Sequence, residues 1–271
     1  MFIPADRLPP GFVERLDVPS AGAVEARPAA TLVLLRDTTV GPEVLLLRRT
    51  RSAGFVPGAY VFAGGRVDQG DTDPRLWQHL TPPAEPAPEY WSAALRELFE
   101  ETGVLLARDA AGRFAPDSGD TAIAALREAL LADRATLHDV LMELQLRPAL
   151  DGLVPFAHWI TPLAEPRRFD TRFFLAALPE GARAVPDARE MSDAVWLTPR
   201  AALDRFEAGR LPMVFPTVRT LETLVAFTEV AAVLEAFRGR AVTPILPRLV
   251  RSEGGVALVV DQPDVAARGG S

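Results

Sequence analysis

Two nearly uninterrupted apolar runs, residues 31–35 and 44–47, read as strands buried on both faces, with a turn around Gly41-Pro42 between them. A shorter apolar stretch at 60–62 predicts a strand that runs into Gly64-Gly65. Over 91–102 the period becomes helical. Trp91, Leu95, Leu98, Phe99 and Thr102 fall on one side, and Gly103 supplies the stop. Helical patterning returns over 121–146 and ends before Pro148. Extended segments follow at 158–161, 172–177 and 194–197; then Thr198-Pro199 opens a helix to about Glu207, since proline suits the first helical turn. A last helix is expected over 218–238. Strands interleaved with helices predict an α/β sandwich, with residues 1–27 and 241–271, including the Gly-rich end at 268–271, as flexible extensions.

The helix at 91–102 carries chemistry on its other side. At about 100° per residue, Glu97, Glu100 and Glu101 share one arc of roughly 100°, opposite the apolar cluster. Like charges at these offsets destabilise an isolated helix by about 0.2–0.5 kcal/mol per pair, so three of them call for a compensating partner. A divalent cation suits the position, because magnesium takes oxygen ligands and keeps waters and phosphates in its shell. An arbitrary Glu-x-x-Glu-Glu is more often a solvated acidic surface. Here the preceding segment, Phe62 through Gly64-Gly65 to Asp71, is a Gly-Gly turn that follows an apolar run and ends in a carboxylate, and the balance changes with the resemblance that this pairing carries.

Composition narrows the chemistry further. The chain has 271 residues, long enough for one large or two small domains, and 48% of them are hydrophobic, enough for a real core. It contains no cysteine, which excludes disulfides and thiolate catalysis, and no lysine, which excludes Schiff-base chemistry and a P-loop lysine. A net charge of −7 argues against general nucleic-acid binding. No basic leader or long apolar span is evident, so a cytoplasmic protein with no membrane contact is expected.

Gly65, Arg96, Glu97, Leu98, Glu100, Glu101, Gly103 and Val104 occupy eight of the nine fixed positions of G-x5-E-x7-R-E-U-x-E-E-x-G-U, where U is aliphatic. The segment thus resembles the signature box of the Nudix hydrolases. Asp71 stands where that pattern has glutamate. Between Asp71 and Arg96 lie 24 residues instead of seven, an insertion of 17 at about 72–89. It is proline-rich and reads as a surface excursion at the rim of the site. A split box of this kind resembles the nudix-19-type coenzyme A diphosphatase subgroup. Residues 45–65 match the coenzyme A pattern L-L-T-x-R-[SA]-x3-R-x3-G-x3-F-P-G-G at Arg49, Gly58, Phe62, Gly64 and Gly65. They miss it at Leu47, Thr50, Gly54 and Ala63.

The resemblance, which covers residues 28–240, implies a Nudix-type α/β/α sandwich with a mixed β-sheet between helical layers. It implies Mg2+ or Mn2+ held by Glu97, Glu100, Glu101 and the carbonyl of Gly64, with Glu97 as ligand or water-activating base and Arg96 orienting a glutamate. Gly65, Asp71 and Gly103 are expected to shape the loop. Arg49, Arg51, Arg168 and Arg172 are candidate phosphate ligands, and Glu190, with Asp193 as the weaker choice, is the candidate distal acid. His79, His138 and His158 are unclustered and read as structural or exposed. The expected reaction is cleavage of the diphosphate of CoA or acyl-CoA into 3′,5′-ADP and a 4′-phosphopantetheine, with ADP-ribose, NADH or another dinucleotide as alternatives. A non-catalytic nucleotide-binding module is a further alternative, although such modules usually lose box glutamates. The expected partner is a small nucleotide substrate; self-association as a homodimer is open.

Overall fold

The apolar run 31–35 lies within strand β2 (Arg27–Thr38), where Ala30, Leu32 and Leu34 enter one core and Val33 and Leu35 enter the other. Burial on both faces explains why the run is continuous rather than alternating. The computed structural model describes residues 2–4, 16, 24–51, 56–78, 80–81, 84–115 and 119–260. After β1 (Phe2–Pro4), β2 turns at 39–40, just before the expected Gly41-Pro42, into β3 (Gly41–Arg49). Next come β4 (Tyr60–Val61), β5 (Ala63–Arg66), helix α1 (Pro88–Thr102), β6 (Ala107–Arg108), α2 (Thr121–Leu131), α3 (Leu137–Glu143) and β7 (Arg147–Pro148). The chain continues through β8 (Val154–Ile160), β9 (Phe169–Ala177), β10 (Met191–Leu197), α4 (Pro199–Glu207), α5 (Phe215–Leu224) and α6 (Val230–Phe237). It closes with β11 (Pro244–Ile245), β12 (Arg248–Ser252) and β13 (Gly255–Val259).

The main sheet runs β10-β3-β2-β9-β8-β11, with β4 added to β3 and β5 to β2. Strands β2 and β9, and β8 and β11, pair parallel, while the other neighbours are antiparallel. Helices cover both faces. One core joins the sheet to α1, α2 and α3; the other joins it to α4, α5 and α6. This is the expected α/β/α sandwich with a mixed sheet. Trp91 anchors α1 on β9, its ring centroid 4.9 Å from that of Phe174, and its Nε1 donates to Pro86 O at 2.9 Å. Such aromatic pairs add about 0.5–1.5 kcal/mol to the area they bury.

Three expectations need correction. The helical stretch 121–146 is two helices, because Thr136 and Asp139 form a capping box that starts a new helix, and Asp133 turns the chain at φ 53°. The stretch 218–238 also divides, since the α6 N-terminus is capped from far away: Val230 N–H donates to Asp37 Oδ1 at 2.8 Å. Finally, the ends are not simple extensions. β1, β13 and β12 form a three-stranded antiparallel sheet, and Ile245 of β11 enters the second core, so the boundary at 240 is too early. Gly254 at φ 75°, between two short β-prone runs, is the hairpin signal for β12 and β13. The terminal 268–271 segment lies outside the described residues.

The insertion is not wholly a surface excursion. After the 3-10 turn Gln69–Thr72 that carries Asp71, its start forms a second 3-10 turn at Pro74–Trp77, and Leu76 is buried in the core shared with α1 and α3. Helix α1 begins at Pro88, ahead of the expected 91, because proline at N1 loses no intrahelical hydrogen bond.

Candidate active site

Helix α1 is buried nearly all round, and that reshapes the acidic face. Instead of opening to water, Glu97 and Glu101 face β5, and Glu100 meets the Arg96 guanidinium. The Glu101 carboxylate accepts the Gly64 N–H at 3.1 Å and is almost fully covered. Glu97 packs against Gly65, where an added Cβ would stand 2.6 Å from Glu97 Cδ; at Gly64 a Cβ would meet Thr31 Oγ1 at 2.7 Å. Both glycines are therefore required by close approach rather than by a left-handed backbone. Gly103 serves the other role, capping α1 at φ 72°. A Gly65→Ala change should push the Glu97 carboxylate aside. We expect about 1–3 kcal/mol of destabilisation together with lost turnover, read by urea unfolding and steady-state kinetics; an alanine variant matching the parent in both would reject the close-approach account.

Arg96 is the hub of the constellation. Its Nε and Nη2 grip Asp71 at 3.0 and 2.9 Å, Nη2 also reaches Arg66 O at 2.8 Å, and Nη1 is shared by Glu97 Oε1 at 3.0 Å and Glu100 Oε2 at 2.9 Å. Asp71 is completely buried and returns one oxygen to the Asp68 N–H at 2.8 Å. Being one methylene shorter than glutamate does not keep it from the arginine. Burial raises the Asp71 pKa even against the opposing pull of Arg96.

The remaining electrostatics set the carboxylates against one another. Burial first, then Glu100, pushes Glu97 up to about 7, against the pull of Arg96. Burial and then Glu97 raise Glu101 well above the ordinary range, with Gly64 N–H and Arg49 opposing and Glu190 adding to the rise. Glu100 is raised mainly by burial. Among the described residues no three acidic or histidine side chains already converge as a metal cage. The donor chemistry nevertheless fits a hard divalent ion: crowded carboxylate oxygens with too little positive charge beside them.

The other candidates divide. Arg49 and Glu190 both lie close enough to act on Glu101, and Arg49 Nε is buried without a hydrogen-bond partner. Thr50 N–H donates to Glu190 O at 2.9 Å, joining the two segments. Asp193 instead takes the Tyr60 hydroxyl at 2.9 Å. Arg172 lies in register with Ala30, itself paired with Gly65; its guanidinium sits 5.4 Å from the Tyr90 ring and 3.8 Å from Asp170. Arg168 must be reassigned. Its Nε and Nη1 bond to Thr161 O at 3.0 Å and Val24 O at 2.6 Å, so it ties the β8–β9 turn to the approach of β2. Arg51 is exposed beyond β3. His158 pairs with Asp170 at 2.5 Å, His138 lies on α3, and His79 is outside the described residues.

A family model for the NUDT19 Nudix domain matches residues 83–224. The chain belongs to this Nudix family. A crystal structure of a Nudix hydrolase from Alicyclobacillus acidocaldarius superposes with a TM-score of 0.68 at 30% identity, covering 80% of this chain and 99% of that one. The human acyl-coenzyme A diphosphatase NUDT19 is 27% identical over 244 residues, covering 74% of this chain and 65% of the human protein. A Caenorhabditis elegans relative, under the provisional name nudix hydrolase 7, is 31% identical over 198 residues, 73% of this chain and 60% of that protein. The chain thus spans less than two thirds of the length of these two relatives. No described helix of this Nudix protein is long and apolar enough to cross a membrane.

Proposed function

We propose that this Nudix domain is a divalent-metal-dependent diphosphatase whose substrate is CoA or acyl-CoA, released as 3′,5′-ADP and an (acyl-)4′-phosphopantetheine. The observation that carries the reading is the pair Glu97 and Glu101, one packed on Gly65 and the other accepting the Gly64 N–H, with Glu100 joined to Glu97 through the Arg96 guanidinium. Glu97, Glu100, Glu101 and the Gly64 carbonyl would hold Mg2+ or Mn2+, which when bound would neutralise diphosphate oxygens and acidify an attacking water. The chain's own groups do the positioning. Arg96 Nη1 orients Glu97, the candidate to accept the water proton, and Glu100; Arg49, with an unspent Nε beside Glu101, is the candidate for a diphosphate oxygen. Retention of every box carboxylate speaks for catalysis over mere binding. The NUDT19 relatives named acyl-coenzyme A diphosphatases support the substrate class.

The mismatches at Gly54 and Ala63 to the coenzyme A pattern keep ADP-ribose and NADH as the second reading. A panel of CoA, acyl-CoA, ADP-ribose and NADH, with Mg2+ or Mn2+ and products resolved by mass, separates them. CoA substrates should give the highest kcat/KM, and EDTA should abolish turnover until metal is restored. Undiminished hydrolysis after exhaustive chelation would overturn the metal reading, and a preference for ADP-ribose would overturn the substrate.

A further inference from the structure

The last four carbonyls of an α-helix have no partner further along the helix. In α1 each is claimed separately. Gly103 N–H closes on Phe99 O at 2.8 Å, Asp187 N–H on Glu101 O at 2.9 Å and Val185 N–H on Thr102 O at 2.7 Å. Glu100 O receives two bonds from Arg127, Nε at 3.0 Å and Nη2 at 2.8 Å. The backbones of Glu100 and Glu101 are thus held by groups remote in sequence. Arg127 comes from α2, and its Nη2 also reaches Val185 O at 3.0 Å, so one guanidinium joins the helix end to the segment after β9. Arg189 closes the same bracket from outside, meeting Asp187 at 2.9 Å and Glu128, the neighbour of Arg127, at 3.0 Å. Three residues beyond Asp187 the segment delivers Glu190, which acts electrostatically on Glu101.

We propose that Arg127 is a positioning residue for the active site: it clamps the last turn of α1 to the 185–190 segment and so fixes where the Glu100, Glu101 and Glu190 carboxylates stand. Terminal helical turns fray when their carbonyls are unpaired, and a displacement of about 1 Å at a reacting centre can cost about 100-fold in rate. A cation at a helix C-terminus is also favoured by the helix dipole. The planar fork explains the residue type. It serves Glu100 O and Val185 O together, which the single ammonium of lysine cannot do with the same geometry. The inference rests on the reading of Glu100 and Glu101 as metal-binding carboxylates.

Arg127→Met and Arg127→Lys in the full chain test it through two readouts: hydrogen exchange at the Val185 and Asp187 amides, and Mn2+ affinity from the resonance of free ion. Arg127→Met should unprotect both amides and weaken Mn2+ binding about 10–100-fold, as loss of an outer partner of a metal ligand does. Its kcat should fall while KM stays near the parent value, and Arg127→Lys should recover part of each loss. Leu221→Ala, in the core on the opposite face, serves as the stability control and should leave amide protection and Mn2+ affinity intact. Arg127→Met that keeps either property of the parent, or Leu221→Ala that loses both, overturns the positioning role while leaving the proposed function standing. A parent chain that binds no Mn2+ and cleaves no diphosphate overturns the metal reading instead, and the inference falls with it.

Discussion

Glu101→Gln should reduce turnover by more than about 100-fold with magnesium present and leave the protein folded, since even an outer partner of a metal ligand is worth 10–100-fold. The amide keeps the shape and can still accept the Gly64 N–H, but it cannot supply the charge that holds a cation. In metal-free buffer the variant should be at least as stable as the parent, because it relieves the repulsion between Glu101 and Glu97. The pH dependence has a definite sign. Burial lifts Glu97 from 4.5 to about 7 and Glu101 also upward, so the folded chain holds these protons more tightly than the unfolded chain. The Glu97 contribution to stability is full below 4.5 and is lost as pH rises through about 7, and the Glu101 contribution is lost in the same direction as pH rises. Metal-free parent should therefore melt lower at pH 8 than at pH 5, Glu101→Gln should show a flatter profile, and added magnesium should raise the melting temperature at pH 8 in the parent alone. A glutamine variant with parental kcat, or one whose melting temperature responds equally to magnesium, would remove Glu101 from the metal site.

Local chemistry made much of this molecule readable in its sequence. The doubly buried strand β2, the helix start at Thr198-Pro199, whose threonine side chain caps Ala201 N–H at 3.2 Å, and the stop at Gly103 each follow from neighbouring residues. So does the spacing that sets Glu97, Glu100 and Glu101 on one side of α1. Features decided by remote partners were not readable. Nothing near Val230 announces that Asp37 will cap α6, and no spacing links Arg127 to the carbonyl of Glu100, 27 residues earlier on another helix. Coverage of the acidic side shows the same limit: periodicity shows that the glutamates share a side, while β5 decides that the side is covered. Arg168 shows the limit for isolated arginines. In a chain whose only basic side chains besides histidine are arginines, residue type does not separate a phosphate ligand from one spent on backbone carbonyls.

Replacing Arg96 should produce the largest loss of stability. The guanidinium is the charged partner within reach of Asp71, which has no exposed surface, and burial already outweighs that partner in setting the Asp71 pKa. Breaking a buried ion pair from one side costs about 3–5 kcal/mol, because the remaining charge stays desolvated. We expect Arg96→Met to lose stability in that range in denaturant unfolding. The loss should be smaller at low pH, where a further raised Asp71 can hold a proton, and larger as pH rises. Adding Asp71→Asn removes the stranded charge yet keeps an acceptor for the Asp68 N–H, so the double variant should regain a substantial part of the stability. Turnover should not return with it. Nη1 of Arg96 is the donor that orders Glu97 and Glu100, and neither methionine nor asparagine replaces it. Lysine at this position should rescue poorly as well, since a single ammonium cannot serve Asp71, Arg66 O and two glutamates from one plane. An Arg96→Met protein within about 1 kcal/mol of the parent would contradict the buried-pair account, and a double variant that recovered kcat together with stability would show that Arg96 only holds the fold and does not orient the carboxylates.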